Sequence, residues 1–198
     1  MRLILLHNLA CIFHDAAFLF SDDHVKELLC ADAARVNKWS QTSESTILKL
    51  NMALREPSFR SVFFYRVRNG HRFLPRSLMA MGQLLLPRIK TIEIGGKIGG
   101  GVYVSHNFSV IFPECAGDNL RVGPGVVIGR VGGHSPKIGS NVYIAANSTV
   151  IGNVEIGDNV IIGAGSLVCK SIPSNSVAVG NPAQVIRSIS EKDMNEIS

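Results

Sequence analysis

The apolar positions of this chain follow two regimes. From Ile92 to Val168 they recur every six residues. The series runs Ile92, Ile98, Val104, Val110, Ala116, Val122 and Ile128, then, after one interruption, Ile138, Ile144, Val150, Ile156, Ile162 and Val168. Twelve of these thirteen residues are Val or Ile, so one structural unit is being repeated. Side chains alternate along a strand with period two, so six residues make one short strand plus a tight corner. Three such units close a coil of eighteen residues, and coils stack at strand spacing, roughly 4.8 Å. The pattern therefore predicts a parallel solenoid of slightly over four coils, with the β-branched series pointing inward. Val177–Val179 are expected to pair with the last coil, and Pro173 to end the repeat.

Before Ile92 the spacing is helical. Ser21-Asp22-Asp23 supplies oxygens that cap free backbone N–H groups, and His24–Val36 follows as a helix. A polar loop, Asn37–Glu44, leads to a helix over Ser45–Leu54. Pro57 suits a first helical turn and Gly70 a helix end, with Phe59, Val62, Phe63, Arg66 and Val67 at helical intervals between them. Pro75 opens another helix that Pro87 closes. The run Leu3–Phe20 contains His7, Asn8, His14 and Asp15 and no small-residue cleavage site. It reads as an amphipathic helix, neither a leader nor a membrane span. The domain organisation expected is a helical region over 1–90, a β-helix over 91–172, and a closing strand, turn and tail over 173–198.

The register breaks once. Ile138 follows Ile128 by ten residues where six are expected, so four extra residues sit in Arg130–Lys137. A loop extruded from a rigid array is a frequent seat of function. A second candidate is His106, two residues past the inward Val104 and therefore close to a corner.

Composition narrows the reading. The 198 residues are 46% hydrophobic and 18% charged, enough apolar content for a packed core. The net charge of +5 comes from scattered Lys and Arg, which argues against a nucleic-acid surface. Cys11, Cys30, Cys115 and Cys169 show no zinc-binding spacing and read as reduced thiols of a cytoplasmic protein, with no metal expected.

Three stretches together carry a resemblance. They are KIGGGVYVSHNFSVI, HSPKIGSNVYIAANSTVIGNVEIGDNVIIGAGSLV and the terminal VAVGNPAQVIR. The chain resembles the hexapeptide-repeat acyltransferases, specifically the serine-acetyltransferase-like branch, over roughly residues 55–190. The resemblance implies a mainly β fold, a left-handed parallel β-helix with an N-terminal α-helical region. That hand departs from the general rule for parallel crossovers. It further implies an acetyl-CoA-dependent O-acetyltransferase working as a homotrimer, each site shared between two subunits, on a small acceptor with a hydroxyl. The branch's general base maps onto His106, and its acidic partner onto Glu93 across a two-residue gap. Coenzyme A would lie along small residues at Ala146 and Ala164. Cys169 and Lys170 stand at the place of a Thr-Lys pair, and Arg187 follows the NPA turn. Lys170 and Arg187 would meet phosphates.

The acceptor is where the chain departs from the branch. Serine acetyltransferases precede the base with Asp and place an Arg-His pair in the loop, whereas this chain has Ser105 and His134-Ser135. Neutral Ser105, Asn107 and His134 suit a sugar or glycan-precursor hydroxyl, with L-serine second. A zinc hydratase on the same solenoid needs three convergent histidines, and the solenoid has only His106 and His134. A non-catalytic trimeric scaffold is the third alternative.

Overall fold

A computed structural model describes residues 2–36, 45–85, 87 and 91–193. The loop expected at Asn37–Glu44, and Leu86 and residues 194–198, lie outside the described residues. The chain forms two compact units, Met1–Lys90 and Thr91–Ser198.

The first unit holds five helices: α1 (Arg2–Leu19), α2 (Asp23–Val36), α3 (Thr46–Ala53), α4 (Pro57–Asn69) and α5 (Phe73–Leu85). Ser45 caps α3, its side chain accepting from the Leu48 N–H. Pro57 opens α4 in its first turn, where no amide donor is needed. α5 begins two residues earlier than the proline suggests. α1 packs chiefly on α5, and α2 on α4. Their interior gathers Phe18, Leu29, Leu50, Leu54, Phe59 and Phe63. The amphipathic face expected of α1 is not kept, since Ala17 and Phe18 are buried while Ile12 and Leu19 stand exposed on the same helix. Among the described residues no helix is long and apolar enough to cross a membrane.

This interior also contains polar groups. Arg66 donates to Asp32 through Nε (2.8 Å) and Nη2 (3.1 Å), and both side chains are shut away from solvent. His14 is buried, with Nδ1 2.8 Å from the Ala10 carbonyl and its ring edge-on to Phe63. Gly82 makes room for that imidazole, because a Cβ there would stand 2.6 Å from His14 Cε1.

The second unit is a parallel β-helix. Its first two coils are β1 (Ile92–Ile94), β2 (Lys97–Ile98), β3 (Tyr103–Val104), β4 (Ser109–Ile111), β5 (Cys115–Ala116) and β6 (Arg121–Val122). The next two are β7 (Val127–Gly129), β8 (Lys137–Ile138), β9 (Val142–Ile144), β10 (Thr149–Ile151), β11 (Glu155–Ile156) and β12 (Val160–Ile162). β13 (Leu167–Val168), β14 (Ser176–Gly180) and β15 (Ala183–Ser188) complete it. Every third strand pairs, giving three faces: β1-β4-β7-β10-β13, then β2-β5-β8-β11, then β3-β6-β9-β12-β14-β15. We call these the first, second and third faces. The solenoid makes about five turns.

Inward Val and Ile stack as the repeat demands. Ile98 lies over Ala116 and Ile138, and Val104 over Val122, Ile144 and Ile162, all buried. Two departures from strict counting matter. In β4 the buried residues are Ser109 and Ile111, with Ile111 in register with Ile128, so Ile111 and not Val110 is the inward member. At the end, the coil does not stop at Pro173. Ile172 bridges Ile156, and β14 pairs in parallel with β12, placing Ile161 beside Val177. The spacing from Ile156 to Ile172 is sixteen residues, two short of a full coil, and that shortening throws the last turn out of the hexad count.

The corners are held as firmly as the faces. Asn119, Asn141, Asn159 and Asn175 occupy the corner between the second and third faces with φ of 55–61°. Asn tolerates this left-handed geometry better than most residues. Each side-chain amide donates to the next carbonyl oxygen at 3.0, 3.0 and 2.9 Å.

Candidate functional site

The residues singled out from sequence fall on two edges of the solenoid. His106 belongs to the corner joining the third face to the first, between β3 and β4. Val104, Val122, Ile144 and Ile162 are in register, so Pro124, Ala146 and Ala164, two residues further on, form one column along that edge, and Gly125 N–H donating to Asn107 O places Asn107 in that column with His106 immediately before it. The corner carbonyls bind them in series: Gly165 N–H donates to Ala146 O (2.9 Å), and Asn147 N–H to Pro124 O (2.8 Å). His106 is exposed beside the head of this column, and Ala146 and Ala164 line it with minimal side chains. A slender arm can lie against backbone there, which is what a pantetheine chain requires.

The His106 corner is also irregular. Three residues separate Val122 from Val126, but four (Ser105 to Phe108) separate Val104 from Ser109, its counterpart. The extra residue is taken up by two left-handed residues, His106 (φ 71°) and Phe108 (φ 67°). Ser105 is half-buried and its hydroxyl donates to the Val122 carbonyl at 3.2 Å, leaving its lone pairs for a ligand. Asn107 is exposed, and its carbonyl accepts from Gly125 N–H at 3.4 Å. Glu93 is an exposed residue of β1 opposite Val110, and no hydrogen bond or ion pair joins it to His106 among the described residues.

The other edge joins the first and second faces. The four-residue insertion leaves from here, after β7, and folds as a tight hairpin. Val131 and His134 exchange backbone hydrogen bonds of 3.0 and 3.2 Å across Gly132 and Gly133. Both glycines have positive φ, 60° and 85°, as a two-residue turn of this kind needs. His134 is exposed at its base. Cys169 and Lys170 follow β13 on this same edge and are likewise exposed. Arg187, on β15, is already engaged: its Nη2 lies 2.8 Å from Asp193 Oδ1. Arg187 and Ser190 together hold the Asp193 carboxyl well below the usual carboxylate range. A phosphate at Arg187 would compete with that carboxylate.

The residues singled out from sequence thus fall into two sets. A single chain brings together His106, Ser105, Asn107, Ala146 and Ala164, and separately His134, Cys169 and Lys170, with the first face between the two sets. Phe108 was missed. Its signal, a large apolar residue beside a corner histidine, is visible only once the corner is known to carry an extra residue.

Comparison with known proteins decides the repeat. Residues 135–170 match the family model described as bacterial transferase hexapeptide (six repeats). Serine acetyltransferase 2 from Arabidopsis thaliana is 36% identical over 127 residues, 60% of this chain and 39% of the relative. The match therefore spans well under half of that relative's length. Soybean serine acetyltransferase complexed with serine aligns with TM-score 0.56 and 25% identity, over 83% of this chain and 70% of that one. Serine acetyltransferase from Brucella abortus in complex with coenzyme A aligns with TM-score 0.64 and 21% identity, over 89% and 73%, and speaks to the fold alone. The solenoid and the helices before it share their fold with these serine acetyltransferases.

Proposed function

We propose that this protein is an acetyl-CoA-dependent O-acetyltransferase whose acceptor is the hydroxyl of L-serine or a close analogue. The observation that carries the reading is exposed His106 at the same edge as the column of Asn107, Pro124, Ala146 and Ala164. The relatives bear on the acceptor: they are serine acetyltransferases, one solved with serine, and this reverses the preference for a sugar drawn from Ser105, Asn107 and His134. A sugar hydroxyl stays the second reading, supported by the neutral Ser105 directly before the base.

In this mechanism the acceptor oxygen attacks the thioester carbonyl while the imidazole of His106 takes its proton. An alcohol is far too weak an acid to lose that proton unaided at neutral pH, and imidazole titrates in the right range. The tetrahedral adduct expels the coenzyme A sulfur as the C–S bond breaks, and the imidazolium returns the proton to the thiolate. Ala146 and Ala164 give the coenzyme's arm access to backbone, and Lys170 offers an exposed ammonium to a phosphate. Glu93, one coil below His106, is assigned to orient the imidazole. His134 and Lys170 lie on the far edge of the first face, so a complete site takes one edge from each of two subunits of a trimer.

Thiol release from acetyl-CoA, measured with L-serine against hexoses and nucleotide sugars, tests this. Turnover with L-serine is expected, falling about 10²–10⁴-fold in His106→Ala. Full turnover in that variant would sink the mechanism, and a monomer by light scattering would sink the shared site.

A further inference from the structure

We infer that Phe108 closes the acyl end of the His106 groove and restricts the transferred group to acetyl, an assignment resting on the function proposed above. The residue departs from expectation three times over. It is an aromatic side chain at φ 67°, a region bulky residues avoid at a cost in backbone strain. It is 71% exposed, so no packing in the chain repays that geometry. It also sits in the one corner of its column that carries an extra residue, two positions past His106. Elsewhere the solenoid fills left-handed corners with Gly or Asn, as at Gly125, Asn147 and Gly165 in this same column.

The chemistry of that place suggests why an aromatic ring stands there. In the proposed mechanism the thioester lies at His106, and the acyl methyl points beyond it, away from Ala146 and Ala164. A ring set there shields the thioester from water and leaves little room for a longer chain. Apolar contact discriminates by about 10-fold or more per methylene. The acyl group is therefore the moiety whose size Phe108 reads.

Phe108→Asn and Phe108→Gly test this, since both residues adopt the left-handed corner without strain and leave the base in place. Binding of coenzyme A and butyryl-CoA by calorimetry is read beside kcat/KM for acetyl-, propionyl- and butyryl-CoA. The expected result is wild-type trimers in both variants, with the butyryl-to-acetyl ratio of kcat/KM raised at least about 10-fold and butyryl-CoA bound more tightly. Faster acetyl-CoA hydrolysis without acceptor is also expected. An unchanged ratio in variants that bind coenzyme A overturns the role of Phe108 alone. Dissociation of the trimer in both variants overturns it in favour of subunit packing. Absence of coenzyme A binding to the wild type overturns the proposed function and this inference with it.

Discussion

The helical unit buries what it cannot afford to lose, while the solenoid spreads its stability over copies. In the first, Arg66 and Asp32 form a bidentate pair with both side chains buried. In the second, Asn119, Asn141, Asn159 and Asn175 form a chain of like contacts, each coil contributing one link. A buried ion pair makes stability hinge on its two residues. A repeated ladder spreads it nearly one coil at a time.

Three experiments press on that contrast. The largest effect is expected at Asp32→Ala, which strands the Arg66 guanidinium without its carboxylate. Breaking a buried pair from one side costs about 3–5 kcal/mol, and chemical denaturation read with hydrogen exchange should show the loss confined to residues 2–85. The double change Asp32→Leu, Arg66→Met should recover most of it. A double variant as weak as Asp32→Ala would show that the pair does more than neutralise itself.

A smaller effect is expected in the middle of the ladder. Asn141→Gly keeps the left-handed corner but removes two side-chain hydrogen bonds, to Asn119 and Asn159. The cost should be about 1–3 kcal/mol, with faster exchange in the adjoining coils only. Exchange rising throughout the solenoid would mean that it melts as a block.

The smallest is a pH effect in the helical unit. Burial pushes the Cys11 thiol up from 9.0 to about 11, with the Asp15 carboxylate adding to it. The folded state therefore holds its proton more tightly than the unfolded chain. The associated stability is intact below pH about 9 and is lost as pH rises through about 11. Denaturation midpoints of wild type and Cys11→Ala between pH 8 and 11 should converge as the pH rises; parallel curves would remove Cys11 as the source.

The same contrast explains what the sequence could disclose. A six-residue period survives any local detail, so the solenoid, its loop at Arg130–Lys137 and the histidine corner could be counted directly. The one-residue shift at β4 escaped counting because Val110 and Ile111 are both β-branched, and the five-residue step to Ala116 restored the register afterwards. The pairing expected of Val177–Val179 holds, but the shortened last coil escaped counting, because Pro173 looks like a stop and the two missing residues lie beyond the hexad series. In the helices, nothing in the spacing couples Asp32 to Arg66, thirty-four residues apart. Their meeting depends on how α2 and α4 cross, which periodicity within one helix does not specify. The division of the site residues between two edges became readable only with the register of all three faces.

The antiparallel return of β15 has a consequence for growth. Every other strand of the solenoid runs parallel to its neighbours, and a stack of that kind presents the same unsatisfied amides and carbonyls after each coil. Such an edge invites another chain to add on. On the third face the last strand instead runs backwards against β14, with a register shift between Val177 and Ala178, and the Arg187–Asp193 pair ties down the segment beyond it. A further coil approaching that face meets a strand of the wrong direction, so the chain ends its own stack and is steered away from forming a fibre.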